Sequence, residues 1–179
     1  MRIVAGRWRG RRINAPDDDR VRPTGDRVRE AWMSIINPWL GGARVLDLFA
    51  GSGALGLEAL SRGAEVVDFV ELAPKSLAML RANAESLGAG AAAVIHRADA
   101  MPFVEKLEPH AYDVAFADPP YDLGLATKLA ERWLETPFAD ILGIEHRFNE
   151  KLPGGEPRRY GSTVITFYRV EGRGVRGEG

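Results

Sequence analysis

The chain has 179 residues, of which 27% are charged, a net charge of −1 and no cysteine. That length suits one α/β domain with a substantial core, and the lack of cysteine excludes disulfides and thiolate metal sites. Three scattered histidines, no apolar stretch long enough to span a membrane and no secretory segment predict a soluble, cytoplasmic protein without a metal site or a membrane partner.

The predicted elements begin with a short hairpin and a helix. Residues 2–5 can pair with residues 11–15 around a turn. A helix then begins near Thr24 or Asp26, either of which can cap it, and Pro38 with the following glycines ends it. An apolar stripe along this helix predicts that one of its sides is buried.

Beyond residue 42, strands and helices alternate, as a mostly parallel, twisted α/β sheet with helices on both faces requires. Strands are predicted at 43–49, 65–70, 91–96, 112–117 and 139–145. Helices are predicted at 57–62, 74–87, 100–107 and 123–135. A turn-rich link at 152–157 leads to an antiparallel strand at 160–168. We interpret the chain as one domain, 1–179, with a basic extension at 1–40, a core at 41–170 and a disordered tail at 171–179.

Positive charge is concentrated at the two ends of the chain. Residues 1–29 hold nine arginines against four aspartates, and residues 158–179 hold five arginines against two glutamates. Basic ends on an acidic body predict a patch for nucleic-acid phosphates, although a solvated arginine-rich surface is the alternative. Gly6, Trp8 and Gly10 between the first arginines favour a nucleic-acid arm. The candidate RNA-binding residues are Arg7, Arg9, Arg11, Arg12, Arg22 and Arg27.

A glycine loop follows the first strand of the predicted core. Gly51, Gly53 and Gly56 spell G-x-G-x-x-G, and Glu71 at the end of the next strand stands where that fingerprint places a ribose-binding acid. Because a strand precedes the loop and a helix follows it, a cofactor that contains a nucleoside is expected.

One acidic residue helps to choose between cofactors. Asp47 lies four residues before Gly51, where it would repel a pyrophosphate but attract the ammonium of S-adenosylmethionine. Asp99 could accept from the adenine amine or simply cap the next short helix. An NAD-dependent oxidoreductase remains an alternative. The candidate cofactor-binding residues are Asp47, Phe49, Ala50, Gly51, Ser52, Gly53, Glu71, Leu72, Asp99 and Ala100.

The tetrapeptide Asp118-Pro119-Pro120-Tyr121 follows a predicted buried strand, at the edge where open α/β sheets bind ligands. Asp118 and the carbonyl of Pro119 can accept hydrogen bonds from the exocyclic amine of a nucleobase, and the carboxylate offsets charge that grows during attack. Pro120 keeps the loop rigid, and Tyr121 can stack on the base. These four residues are the candidate catalytic residues, whereas a turn with an incidental acid is the alternative.

Taken together, these motifs resemble those of the D-type family of bacterial 16S rRNA guanine-N2 methyltransferases. The resemblance covers nearly the whole chain, and two departures are Ser34 in place of a common asparagine and a short stretch between Glu145 and Tyr160. The stretches that carry it are 1–6, 9–12, 22–24, 26–31, 46–53, 56–64, 118–121 and 160–161.

The resemblance implies a Rossmann-like class I methyltransferase fold with S-adenosylmethionine as cofactor. It also implies a substrate, which is the N2 amine of one guanine in 16S rRNA, within the small ribosomal subunit or an assembly intermediate. A monomer is expected. The alternatives are an adenine-N6 or cytosine-N4 methyltransferase acting on DNA or RNA, the oxidoreductase already mentioned, and a non-catalytic RNA-binding assembly factor.

Overall fold

A seven-stranded sheet forms the centre of the molecule, and the computed structural model describes residues 1–16 and 23–173. The strand order is β3-β2-β1-β4-β5-β7-β6. The first five strands are parallel, whereas β7 pairs antiparallel with both β5 and β6. The predicted α/β sheet with an antiparallel C-terminal strand is therefore confirmed. The strands are β1 Arg44–Leu48, β2 Val66–Glu71, β3 Ala93–Arg97, β4 Tyr112–Ala117, β5 Ala139–Arg147, β6 Glu156–Tyr160 and β7 Thr163–Arg169.

Helices cover both faces of this sheet and bury two separate apolar clusters. Side chains of α1, α2 and α3 pack on one face, and side chains of α4 and α5 pack on the other. The apolar runs of β1 and β4 separate the two clusters, because successive residues of a strand point to opposite faces. The helices are α1 Pro23–Leu40, α2 Ala54–Ser61, α3 Pro74–Leu87, α4 Ala100–Glu105 and α5 Leu125–Glu135.

The structure corrects the predicted ends of the first helix. Helix α1 already includes Pro23, so Thr24 and Asp26 lie in its first turn and do not precede it. Pro38 lies inside α1, which continues to Leu40. A proline near the end of a helix removes one backbone bond without stopping the last turn. The prediction for the tail concerns mainly residues 174–179, which lie outside the described residues.

The C-terminal part of the sheet contains a strand that the sequence prediction missed. Residues 156–160 form β6. The sequence predicts a turn-rich link at 152–157 and a strand that begins at residue 160, so this strand is new. A turn at Gly161, which has a φ of 63°, separates β6 from β7. The prolines and glycines at 153–157 indicate a turn, but proline is tolerated on an edge strand such as β6, so the pattern did not predict this strand.

The N-terminal segment, residues 1–16, packs against helices α2 and α3. An antiparallel bridge joins Arg2 to Arg12, in agreement with the predicted hairpin. The buried carboxylate of Glu58 accepts hydrogen bonds from the backbone N–H groups of Val4 and Ala5 at 3.0–3.2 Å. Trp8 is buried, so in the predicted nucleic-acid arm it is the exposed arginines around it, and not its ring, that can contact RNA. The segment is a folded part of the core face.

The pairing register brings the ends of three neighbouring strands to one edge. Leu48 of β1 pairs with Ala117 of β4, and Ala117 pairs with Ile144 of β5. The residues that follow each of these positions therefore lie side by side at the carboxyl ends of the strands. Among the described residues, no helix combines the length and apolar character needed to cross a membrane.

Candidate active site

Asp47 lies beneath the glycine loop with its carboxylate buried. Its side chain is 2% exposed, and Oδ2 accepts a hydrogen bond from the backbone N–H of Gly56 at 3.0 Å. Burial raises the pKa of Asp47 well above its ordinary value; the Gly56 N–H opposes this shift, and repulsion from Asp118 and Glu71 adds to it. No ion pair joins Asp47 to a described arginine or lysine. The site therefore holds a desolvated acid that a cation would stabilise.

Glu71, at the end of β2, fastens the glycine loop to the turn that follows its own strand. Oε1 accepts from the backbone N–H of Gly51 at 2.8 Å, and Oε2 accepts from the N–H groups of Leu72 and Ala73 at 2.7 and 2.9 Å. A carboxylate offers about four lone-pair positions, so three of them are used by the protein. Glu71 is thus held in one orientation with room for one more donor.

The glycines of the loop have separate steric roles. A Cβ at Gly56 would lie 2.3 Å from the ring of Phe69, and a Cβ at Gly53 would lie 2.3 Å from a methyl carbon of Leu80. A Cβ at Gly51 would have nothing within 4 Å. The loop therefore packs tightly on its inner side and faces open space above Gly51, as a binding loop must.

Phe49 and Ala50 connect β1 to this loop. Phe49 has a φ of 55°, a left-handed conformation that costs free energy for a residue with a side chain and that concentrates at functional sites. Ser52 is buried, and its carbonyl accepts from Asn83 Nδ2 at 2.9 Å. The same Nδ2 group donates to the carbonyl of Asn14, so Asn83 links the loop to the N-terminal segment.

Asp99, Leu72 and Ala100 lie at the ends of the two strands beyond the loop. Asp99 occupies the position before α4 but makes no capping hydrogen bond through its side chain, which is exposed. The capping alternative for Asp99 is therefore wrong, and its carboxylate remains accessible. Leu72 is 53% exposed, a large apolar side chain beside Glu71, whereas Ala100 is buried. An exposed leucine can pack against a flat ring, and the neighbouring acid can accept a hydrogen bond from the same ligand.

Asp118 follows β4 at the carboxyl edge of the sheet. Solvent reaches its side chain, although protein surrounds the group on most sides. This surrounding protein raises the pKa of Asp118 to about 6, and a hydrogen bond from Glu145 acts in the opposite direction. Pro119 is buried and Pro120 is exposed. Asp118 is thus an acid that changes its charge close to neutral pH.

Glu145, in β5, is a site residue that sequence reasoning missed. Its side chain hydrogen-bonds with Asp118, and burial together with repulsion from Asp118 raises its pKa to about 8. The indole of Trp32 on α1 opposes this rise in pKa. Near neutral pH the two carboxyl groups therefore share one proton. A single glutamate at the end of the predicted strand 139–145 was the available signal.

Tyr121 lies close to this pair of acids and is half-buried. The guanidinium of Arg147 lies over its ring, 4.7 Å from the centroid. Burial raises the pKa of Tyr121, repulsion from Glu145 and Asp118 adds to this, and a hydrogen bond with Thr163 opposes it. The proposed stacking residue is therefore neutral at physiological pH, and its ring is already covered on one face by an arginine.

The candidate RNA-binding arginines are distributed over two elements. Arg7, Arg9, Arg11 and Arg12 are exposed on the N-terminal segment, and Arg27 is exposed on α1. Two of them already have partners, since Arg7 lies over the ring of Trp8 and Arg11 donates to the carbonyl of Ser86 at 2.7 Å. Arg22 lies outside the described residues. Within residues 1–16 and 23–173, no three acidic or histidine side chains group as metal ligands.

Comparison with known proteins identifies the family. The model of the family described as conserved hypothetical protein 95 matches residues 1–169. The chain belongs to this family. The putative rRNA methyltransferase YlbH of Bacillus subtilis is 40% identical over 185 aligned positions, covering 96% of this chain and 100% of that protein. The ribosomal RNA small subunit methyltransferase D of Escherichia coli K12 is 44% identical over 126 residues, or 70% of this chain.

The chain spans 62% of the length of that Escherichia coli relative. The resemblance to the D-type methyltransferases, inferred from sequence motifs, is confirmed by these matches. Solved structures agree with this membership of the conserved hypothetical protein 95 family. The putative methyltransferase yhhF of Escherichia coli superposes with a TM-score of 0.82 at 32% identity, covering 97% of this chain and 99% of that one. The fold is therefore the Rossmann-like class I methyltransferase fold.

Proposed function

We propose that this protein is an S-adenosylmethionine-dependent methyltransferase that modifies the exocyclic N2 amine of a guanine in 16S rRNA. One observation carries the proposal, namely that the register of β1 on β4 sets Asp118 at the same edge of the sheet as the glycine-loop acid Asp47, close enough to repel it. An amine acceptor and a candidate site for a cationic cofactor are thus neighbours. The names of the relatives from Bacillus subtilis and Escherichia coli support an rRNA substrate for this chain.

The residues around the glycine loop fit S-adenosylmethionine. Asp47 is desolvated and lacks a cationic partner among the described residues, a deficit that the ammonium of an amino-acid moiety would correct. Glu71 is oriented by three backbone donors and would accept from a ribose hydroxyl. Leu72 and Asp99 are both exposed, so they would contact the face and the amine of the adenine. Open space above Gly51 leaves room for the ligand.

When bound, S-adenosylmethionine would supply an electrophilic methyl group on a sulfonium sulfur. The chain's own residues prepare the acceptor. The carboxylate of Asp118 and the carbonyl of Pro119 accept hydrogen bonds from the amine and favour a geometry in which its lone pair is free to attack. As the amine nitrogen gains a carbon and becomes positively charged, it must lose one proton. Asp118 accepts that proton and passes it to solvent.

The carboxyl pair also favours guanine over the other amino bases. The N2 amine of guanine lies beside the ring N1–H, so two donors are adjacent at this position. The amines of adenine and cytosine lie beside a ring nitrogen that accepts. Asp118 and Glu145 together offer four oxygens and, near neutral pH, only one proton. A carboxyl pair rich in acceptors suits the adjacent N1–H and N2 donors of guanine.

The decisive experiment incubates the protein with methyl-labelled cofactor and small ribosomal subunits that lack the modification. Digestion to nucleosides and mass spectrometry should reveal N2-methylguanosine in 16S rRNA. Label in N6-methyladenosine or N4-methylcytidine would support the adenine or cytosine alternatives instead. RNA binding without any methylated nucleoside would support the assembly factor, and binding of NADH would support the oxidoreductase.

The rRNA substrate agrees with the cytoplasmic location expected from the sequence. The basic residues Arg9, Arg12 and Arg27 are exposed and, among the described residues, form no ion pair, so they are available to RNA phosphates. Because the amine of a paired guanine is enclosed within a stacked helix, the target must be unpaired or turned out, which loops of RNA allow at low cost.

A further inference from the structure

A cavity separate from the glycine loop lies at the C-terminal edge of the sheet. It has a volume of about 390 Å³ and lies between the end of β5, the loop after it and the β6–β7 hairpin. Its apolar lining comes from Phe148, Leu152, Pro157 and Val164. This volume is large enough for a nucleobase with its sugar.

An exposed aromatic ring forms one wall of this cavity. Phe148 is 52% exposed, and the guanidinium of Arg159 lies 4.6 Å from its ring centroid. The arginine is fixed in place, because its Nε donates to the carbonyl of Gly161 at 2.8 Å. The backbone of Phe148 is also held, through its N–H bond to the carbonyl of Ser162 at 3.1 Å. Phe148 is continuous with the apolar lining from Leu152, Pro157 and Val164, and such contiguous apolar surface indicates a binding site.

The same arrangement occurs beside the proposed catalytic residues. Arg147 lies over Tyr121, and Arg147 precedes Phe148 directly in the chain. The Arg147–Tyr121 pair and the Arg159–Phe148 pair are therefore contributed by consecutive residues, Arg147 and Phe148. Successive residues of a strand point to opposite faces, so the cavity, which includes His146 and Phe148, lies across the end of β5 from Tyr121 and Asp118.

The charge around the cavity is positive. Residues 147–159 contain four basic and two acidic side chains. Both acids are already engaged, since Glu150 accepts from the hydroxyl of Thr127 at 3.0 Å and Glu156 pairs with Arg158 at 3.3 Å. Arg147, Lys151 and Arg159 make no ion pair with the described acidic residues. These cations suit an anionic chain that passes along the rim.

We propose that this cavity binds a base of the single-stranded RNA that flanks the target guanine, with the strand passing over the end of β5. The inference rests on the proposed function, because it takes RNA as the substrate. The base stacks on Phe148 in the manner of aromatic platforms that hold single strands, while Arg159 and Lys151 hold the adjoining phosphates. Stacking there anchors the RNA on one side of the end of β5 while the target guanine lies at Asp118 on the other side.

Kinetics of variants test this proposal with the full-length protein. Phe148→Ala should raise the KM for unmodified small subunits by about tenfold or more, with kcat within about twofold of the original value. Phe148→Tyr should restore the KM, since it keeps a ring. The matched control, Val94→Ala, removes an exposed apolar side chain from the opposite edge of the sheet and should change neither constant. A KM for Phe148→Ala within twofold of the unaltered protein would overturn the proposal.

Cross-linking separates this proposal from the methylation reaction itself. Short single-stranded RNAs with 4-thiouridine on either side of a guanine are irradiated with the protein without cofactor, so no turnover is needed. A cross-linked peptide that contains Phe148 supports the cavity even if the methylation product proves to be different. Cross-links confined to other peptides contradict it. Irradiation of whole subunits that joins this peptide to a ribosomal protein and not to RNA would contradict it as well.

Discussion

The carboxyl groups of Asp118 and Glu145 meet at the carboxyl ends of the neighbouring parallel strands β4 and β5, and burial raises the pKa of both. Two acids within hydrogen-bonding reach cannot both be charged without strong repulsion, so they share one proton over the range between their two pKa values. This pair gives the Asp-Pro-Pro-Tyr loop an acceptor that is charged and held in one orientation at neutral pH.

Replacement of Asp118 separates chemistry from cofactor binding. We expect Asp118→Ala to lower kcat by about 10²–10⁴-fold, because the amine loses its acceptor and its proton has no nearby base. The affinity for S-adenosylmethionine, measured by calorimetry, should stay within a few fold. Equal losses of turnover and of cofactor affinity would contradict the assigned role.

We expect Glu145 to support catalysis by donating a hydrogen bond from its protonated carboxyl group to Asp118. Glu145→Gln keeps a donor to Asp118, so kcat at pH 7 should stay within a few fold, whereas Glu145→Ala should lower it about tenfold or more. In the unaltered protein, activity should fall below pH 6 as Asp118 is protonated, and above pH 8 as Glu145 loses its proton. The pH profile of Glu145→Gln should keep the acidic limb and lose the alkaline one. An unchanged alkaline limb in this variant would show that another group causes it.

We expect the buried carboxyl group of Asp47 to lower the free energy of unfolding while it strengthens cofactor binding. Burial raises its pKa, so the folded state holds the proton more tightly than the unfolded chain. Its contribution to stability is therefore largest below the unfolded pKa and declines as the pH rises toward the folded one. Asp47→Asn should raise the free energy of unfolding at pH 8 by about 1 kcal/mol in urea titrations and weaken cofactor binding at least tenfold.

The exposed acid Glu85 on α3 provides the control for this change. Glu85→Gln should alter neither the stability nor the affinity. If Asp47→Asn bound the cofactor as tightly as the original protein, the proposed contact with the ammonium would be wrong.

Two glycines in helices should respond oppositely to a methyl group. A Cβ at Gly56 would lie 2.3 Å from Phe69 and 2.9 Å from Asp47, whereas a Cβ at Gly25 on α1 would meet nothing within 4 Å. Gly56→Ala should lower the free energy of unfolding by about 1–3 kcal/mol through overpacking. Gly25→Ala should raise it by up to about 1 kcal/mol, because alanine favours the helix. Chemical denaturation measures both, and a neutral Gly56→Ala would mean that the loop tolerates a side chain.

The buried glutamate beneath the N-terminal segment should decide whether that segment stays folded. Glu58 is 1% exposed and accepts from Val4 and Ala5, and it also pairs with Arg62 at 3.0 Å. Glu58→Ala should release residues 1–16, because their backbone donors lose a buried acceptor. Limited trypsin digestion should then cut after the arginines between residues 7 and 12 at least tenfold faster. Glu85→Ala is the matched control, and equal cutting rates in both variants would rule out this role for Glu58.

Local patterns in the sequence were sufficient for several parts of this molecule. The alternation of strands and helices predicted the sheet, and β4 and α3 have the predicted bounds. Strand ends followed by Asp118 and by the glycine loop predicted a shared edge, because parallel strands end on the same side. These features depend on hydrogen-bonding periodicity, turn residues and strand direction, which neighbouring residues determine.

Other features depended on contacts between residues distant in the chain. Nothing near Trp8 in the sequence indicates that it is buried, since the surfaces that cover it come from later helices. Glu145 becomes part of the site only because the register of β5 on β4 sets it beside Asp118. The stacking of Phe148 with Arg159 likewise requires the β6–β7 hairpin to fold back on β5. The sequence determined which chemical groups are present and the order of the elements. The tertiary structure alone decided which groups meet, because burial and proton sharing depend on distances that the packing of the whole sheet sets.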